Sequence, residues 1–187
     1  MSLPSFGPRF ESALTYACSK HAGQTRKGNG APYITHVIAV ASLVGEYGGD
    51  EDQAIAALLH DVVEDCGVST EEIASSFGEK VASIVTVCTD ATTHPKPPWQ
   101  ARKEAHVAKV RTATAEAKLV IACDKLHNTQ SIVRDRRRPS VGESVWSRFS
   151  TGREGMIWYL DAMRGALAEG WDHDVLGELS LAVAALR

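Results

Sequence analysis

No apolar run in this chain approaches the roughly 20 residues that a bilayer-spanning helix needs, and no charged-then-apolar leader pattern opens it. A membrane anchor is therefore not expected, and the cytoplasm is the expected compartment. Basic residues are not in excess. Lys and Arg number 20 against 23 Asp and Glu, a formal net charge of −3, which argues against a dedicated nucleic-acid binder, since such domains are usually basic. Cysteine is sparse: Cys18, Cys66, Cys88 and Cys123 form no CxxC pair and match no zinc template. Cys18, Cys88 and Cys123 sit in apolar stretches of helical spacing and read as reduced core thiols. There is no internal repeat and no convincing hairpin signal.

What is present is a helical pattern. The 187 residues, 44% hydrophobic and 23% charged, suit one globular domain over residues 1–187 with a real core. Phe10, Ala13, Leu14, Ala17, Cys18 and His21 share one helical face behind Pro8, and Ile34, Val37, Ile38, Ala41 and Val44 repeat at the same period. Between them lies a polar loop, Gly23 to Pro32, with three glycines. Asp50 with Gln53 forms a capping box that opens a third helix reaching about Asp65, and Ser69 with Glu72 forms another. Further helices are expected over about 80–89, 99–111, 116–134, 145–167 and 173–186, giving an all-α bundle of about 8–10 helices. Arg136 to Glu143 reads as a linker.

The chemistry concentrates in Leu58-Leu59-His60-Asp61-Val62-Val63-Glu64-Asp65. One imidazole and three carboxylates in six residues, directly behind an apolar helix, cost several kcal/mol to bury unless a cation or partners compensate them. That points to a metal-centred hydrolytic site. One helix cannot surround an ion, so other helices must contribute. His36, at the start of the second helix, and Asp124, inward-facing in Leu119–Asn128 with no obvious basic partner, are the candidates. An HD dipeptide alone is common, and His21, His94, His106, His127 and His173 stay open on spacing. Two imidazoles with two carboxylates carry −2, and mixed N/O ligation suits Mn²⁺, Fe²⁺ or Zn²⁺ better than Mg²⁺. Glu64 and Asp65 could then orient or deprotonate a water. Arg26 and Lys27 on the glycine-flanked loop suit a polyanion. Arg102, Lys103, Lys109, Arg111 and Lys125 read first as a solvated helix face.

Five ordered motifs carry a resemblance: His21-Ala22-Gly23-Gln24 with Arg26-Lys27, Pro32 to His36, Ala56 to Asp65, Phe77-Gly78, and Asp124-Lys125-Leu126-His127-Asn128. Over about residues 8–165 the chain resembles the HD-domain phosphohydrolases, and more narrowly the (p)ppGpp hydrolases of RelA/SpoT type in their small, stand-alone form. The resemblance implies a helical HD fold. It implies Mn²⁺ held by His36, His60, Asp61 and Asp124, and Glu64 and Asp65 as the catalytic acidic pair. Arg26, Lys27 and Asn128 match nucleotide-holding positions, and Ser131 stands where the family often has threonine. The implied reaction removes pyrophosphate from the 3′ position of ppGpp or pppGpp, leaving GDP or GTP; animal members are also associated with removing the 2′-phosphate of NADPH. Too few residues follow Arg134 for a synthetase domain, so degradation rather than synthesis is expected.

Three departures bear on substrate preference: Cys123 before Asp124, Gln130 where arginine is common, and His106 where tyrosine often follows Arg-Lys-Glu. The expected partner is a small-molecule nucleotide, with no nucleic acid and no membrane; a homo-oligomer stays open. A second reading keeps the enzyme class with NADPH or another phosphorylated nucleotide as substrate. A third, a non-catalytic alarmone binder, leaves the Glu64–Asp65 pair without a purpose.

Overall fold

The structure, a computed structural model, describes residues 6–28, 30–91 and 95–187. Asn29 of the glycine loop and His94, one of the open histidines, lie outside the described residues. Among the described residues ten α-helices follow in order: α1 Pro8–Lys20, α2 Ile34–Glu46, α3 Glu51–Leu59, α4 Val62–Cys66, α5 Thr70–Phe77, α6 Glu79–Cys88, α7 Trp99–Arg111, α8 Ala115–Arg136, α9 Gly152–Ala168 and α10 Val175–Ala184. A 3₁₀ helix, Gly142–Arg148, joins α8 to α9. No strand is present among the described residues; Thr25 and Pro32 make one isolated bridge across the glycine loop.

The centre is α3. The Asp50 carboxylate accepts from the Gln53 backbone N–H at 2.9 Å while the Gln53 side chain takes the Asp50 N–H, the capping box that the sequence announces. From Gln53 to Leu59 every residue is buried, because α3 packs against α1, α2, α6 and α8 at once. Such a helix loses the amphipathic period and becomes apolar all round. The second inner helix is α8, whose residues 117–124 form an uninterrupted buried run. The Leu119-Val120-Ile121 stretch is helical there, as its surroundings require. One apolar cluster extends from Ala13 on α1 to Val183 on α10, so α10 packs on the same core.

Three expectations need correction. The third helix does not run to Asp65. It stops at Leu59 and restarts at Val62, because the His60 ring nitrogen Nδ1 donates to the Ala57 carbonyl at 2.8 Å. That carbonyl is the one the Asp61 N–H would use in a continuous helix. The helix expected over 145–167 is also divided: its first part is the 3₁₀ turn, and Gly152, at φ +61°, opens α9. Cys18 is exposed rather than in the core; α1 buries Ala13 and Ala17, and the position after Ala17 turns outward. Cys123 is buried as expected.

Leu58 is fully buried at the end of α3. Leu58→Ala is expected to lower unfolding free energy by about 2–5 kcal/mol, read from urea denaturation midpoints. A loss well under 1 kcal/mol would mean that the helix leading into the site is not tightly packed.

Candidate metal centre

Three elements deliver the cluster. His36 comes from the first turn of α2, His60 and Asp61 from the break between α3 and α4, and Asp124 from the middle of α8. One ligand atom each of His36, His60 and Asp124 lie within 4.8 Å of one another. His36 Nε2 is 3.2 Å from Asp124 Oδ1 and 3.8 Å from Asp61 Oδ2. His60 Nε2 is 2.9 Å from Asp61 Oδ2 and 3.7 Å from Asp124 Oδ1. All four residues read from the sequence therefore converge.

The outer hydrogen bonds set both imidazoles. His60 uses Nδ1 to donate to Ala57, and His36 Nδ1 lies 2.7 Å from His127 Nδ1 with the two rings stacked. Burial, with the nearby His36 and Arg26, pushes His127 down to about 4. Both Nε2 atoms face carboxylate oxygens. His60 Nε2 is buried and has no hydrogen-bond partner among the described residues. Two ring nitrogens and two carboxylates converge within this range from separate elements, so the donor set fits a divalent ion with mixed N/O ligation.

Supporting donors hold the carboxylates. Asp124 Oδ2 accepts from Lys125 Nζ at 2.6 Å and Oδ1 from Asn128 Nδ2 at 2.5 Å. Asp61 Oδ2 accepts from the Tyr33 hydroxyl at 2.5 Å. Burial alone would raise Asp124, but Lys125 and the two histidines more than offset it and hold its carboxyl well below the usual range. Asp61 is likewise held low against burial, by His60 above all. The expectation that Asp124 has no basic partner is thus wrong: its partner is the next residue. Tyr33 and Lys125 stood inside the quoted motifs, but an adjacent lysine on a helix usually points elsewhere, and nothing in the spacing ties Tyr33 to Asp61.

Asp61 and Asp124 open into a cavity of about 600 Å³. Arg26, Lys27, Glu64, Asp65, Asn128 and Ser131 all line it. Glu64 Oε1 accepts from Lys96 Nζ at 2.7 Å. Burial and the neighbouring Asp90 carboxylate raise Glu64 despite Lys96, while Asp90, clasped by Lys103 and Arg102, is held low against its own burial. Two carboxylates pushed apart in this way suit acid–base work. Asp65 is raised by burial and by Asp61, and Gln24 Nε2 approaches it at 3.4 Å.

The group read as a solvated helix face divides. Arg102, Lys103 and Lys125 line the cavity. Lys109 instead donates to the Thr89 carbonyl at 2.7 Å, and Arg111 pairs with Glu169. Of the other histidines, His21 binds Gln24, His106 sits between Val87 and Tyr159, and His173 stacks on Trp171; none joins the cluster.

A histidine–aspartate pair at a break in a buried helix, completed by a histidine and an aspartate from two neighbouring helices, gives an all-helical domain with a candidate metal site. The chain belongs to the HD domain family, which it matches over residues 13–157. It is 40% identical over 125 residues to the Xenopus tropicalis guanosine-3′,5′-bis(diphosphate) 3′-pyrophosphohydrolase MESH1, covering 65% of this chain and 68% of that one. The Aquifex aeolicus guanosine-3′,5′-bis(diphosphate) 3′-pyrophosphohydrolase is 34% identical over 147 residues, 76% of this chain but 20% of the longer protein. Among solved structures, a metazoan orthologue of SpoT described as hydrolysing ppGpp superimposes with a TM-score of 0.79 at 28% identity, covering 97% of this chain and 96% of that one. The resemblance drawn from the five motifs holds.

Replacing Asp124 with Asn keeps the shape and removes the charge. It is expected to weaken Mn²⁺ binding by more than the roughly 10–100-fold typical of an outer-sphere partner, measured by titration calorimetry. Unchanged affinity would remove Asp124 from the ligand set.

Proposed function

We propose that the chain hydrolyses guanosine 3′,5′-bis(diphosphate) and its 5′-triphosphate form to GDP or GTP plus pyrophosphate, using Mn²⁺. The observation that carries this reading is that Asp61 and Asp124 of the cluster and the raised Glu64–Asp65 pair open into one cavity that also holds Arg26, Lys27, Arg102 and Lys103. A site with carboxylates at its centre and cations on its walls suits a substrate with phosphates at both ends. The names of the relatives support the same substrate.

In this reading His36, His60, Asp61 and Asp124 hold the ion, which when bound polarises a phosphoryl group and makes water in contact with it more acidic. Glu64 or Asp65 takes a proton from the attacking water and returns one to the 3′-oxygen as its bond to phosphorus breaks. Arg26 stacks on the purine or grips phosphate through its planar fork, and Lys27 adds a point charge. Asn128 and Ser131 line the nucleotide side. The working unit is one hydrolase domain, residues 1–187, with its core at about 8–165 and α10 as a brace. No helix of the described residues is long and apolar enough to cross a membrane. A cytoplasmic enzyme acting on a small nucleotide, as a monomer or a homo-oligomer, completes the proposal.

Purified protein with Mn²⁺ is expected to release pyrophosphate from ppGpp and to stop on chelation. Orthophosphate from NADPH alone would move the substrate, and tight ppGpp binding without turnover would make the protein a binder. Glu64→Gln and Asp65→Asn are each expected to lower kcat by about 10²–10⁴-fold while Mn²⁺ affinity is kept.

The pH dependence follows from the same pair. Both carboxyls titrate above their ordinary values, so the basic form is lost as pH falls through a value higher than that of a free carboxylate. The acid limb of kcat/KM should lie above the ordinary carboxylate range. Lys96 lowers Glu64, so Lys96→Met should move that limb to higher pH. A limb at the free-carboxylate position in both proteins would exclude the pair as the base.

A further inference from the structure

The glycine loop and the metal cluster are joined by two short chains of hydrogen bonds. Arg26 Nη2 donates to Asn128 Oδ1 at 2.8 Å, and Asn128 Nδ2 donates to Asp124 Oδ1 at 2.5 Å. That carboxylate oxygen is the one nearest His36 Nε2. Both ends of the Asn128 amide are thereby committed, and its orientation is fixed. Turned over, its oxygen would oppose the Asp124 carboxylate and its NH₂ the guanidinium, two repulsions in place of two hydrogen bonds. The loop also folds tightly on itself, with the Arg26 N–H on the Ala31 carbonyl at 2.8 Å and the Tyr33 N–H on the Gln24 carbonyl at 2.8 Å. It leads directly to Tyr33, whose hydroxyl holds Asp61. The loop is thus bracketed by two residues, Arg26 and Tyr33, each tied to a different acidic residue of the cluster.

Arg26 keeps one donor in reserve. Its Nη1 is buried with no partner among the described residues, and the side chain lines the cavity. One nitrogen therefore serves Asn128, and the other makes no hydrogen bond among the described residues.

We infer that Arg26 is a positioning residue for the metal centre as well as a wall of the cavity: through Asn128 it fixes the Asp124 carboxylate, so that metal affinity and loop geometry are one coupled property. The inference rests on the reading of the cluster as a metal site. Coupling of this kind is reciprocal, so an ion that orders Asp124 also orders Arg26 for the substrate. A lone metal with no nucleotide present is then the cleanest probe.

The sign of the effect separates the relay from simple charge. Removing any cation near the cluster should strengthen binding of another cation by Coulomb's law. The relay requires the opposite for Arg26. Mn²⁺ would be titrated into wild type, Arg26→Ala, Arg26→Lys and Lys27→Ala by calorimetry, with the free Mn²⁺ resonance as a second readout. Lys27→Ala removes the same charge from the same loop and is expected to bind Mn²⁺ as well as wild type or slightly better. Arg26→Ala is expected to bind about three- to tenfold more weakly, less than the roughly 10–100-fold of a direct outer-sphere loss because it acts one bond further out. Arg26→Lys, which can still donate to Asn128, should recover part of the difference. Circular dichroism checks folding, and Arg26→Met replaces the alanine variant if that one does not fold. Arg26→Ala binding Mn²⁺ as tightly as Lys27→Ala would overturn the relay and leave the metal site standing. Wild type that binds no Mn²⁺ would overturn the metal reading and the relay with it.

Discussion

The site depends on the Ala57 carbonyl. In an unbroken helix it would accept from the Asp61 N–H; here the His60 ring takes it at 2.8 Å. The consequence is local and large. The regular α-helix is interrupted at His60 and Asp61, and His60 Nε2 and the Asp61 carboxylate lie 2.9 Å apart. Helix resumes at once as Asp65 N–H bonds back to the Asp61 carbonyl at 2.9 Å, and this second short helix carries Glu64 and Asp65 to the cavity. A continuous helix would separate those residues by its own period and could not aim the pair inward and the following acids at the same opening. The break holds its shape because α3, immediately before it, is buried on every side, and a close-packed interior resists shifts of even a methylene.

Placing two imidazoles and two carboxylates beside such a core is costly, and the surrounding residues answer that cost atom by atom. Lys125 and Asn128 serve Asp124, Tyr33 serves Asp61, His127 serves His36 and a backbone carbonyl serves His60. Buried polar networks are stable when every member is satisfied and fragile otherwise. Among the described residues the exception is His60 Nε2, the one ring nitrogen of the cluster pair left with no hydrogen-bond partner. A buried ring nitrogen without a hydrogen bond at the point where the acids converge fits a site that takes a cation.

How much of this the sequence reveals depends on the range of the interaction. Periodicity and capping boxes are local, so the helices and the all-α class are legible, and the burial problem posed by His60, Asp61, Glu64 and Asp65 is visible within one short run. The four residues of the cluster are legible through the family resemblance; spacing alone leaves five other histidines open. The break at His60 is not legible, because a side chain capturing a carbonyl three residues back leaves the apolar period of Leu58, Leu59 and Val62 intact. Nor is the division of the basic residues on α7. Arg102 and Lys103 face the cavity because the buried Asp90 holds them there, whereas Lys109 is drawn to the end of α6. That choice is made by an acid on another segment.

The three departures from the family pattern now carry different weights. Gln130 is exposed and does not line the cavity, so the arginine it replaces leaves no gap in the cavity wall itself. Cys123 is buried beside Asp124, and burial pushes its thiol up to about 12, which keeps it protonated and makes it a poor nucleophile at neutral pH. His106 is different. Burial and the nearby Lys125 and Lys103 push it down to about 3, so it is a neutral ring, lying between the Val87 carbonyl and the Tyr159 hydroxyl, both at 3.2 Å. The Tyr159 face in turn lies under Lys103 and Lys125, at 4.7 and 5.6 Å from the ring centre. A tyrosine in place of His106 could not accept and donate through two opposed ring nitrogens, so Tyr159 would lose one fixed partner. Of the three departures, His106 is therefore the one with leverage on the cavity: it anchors the aromatic ring over which two of the cavity's ammonium groups are seated.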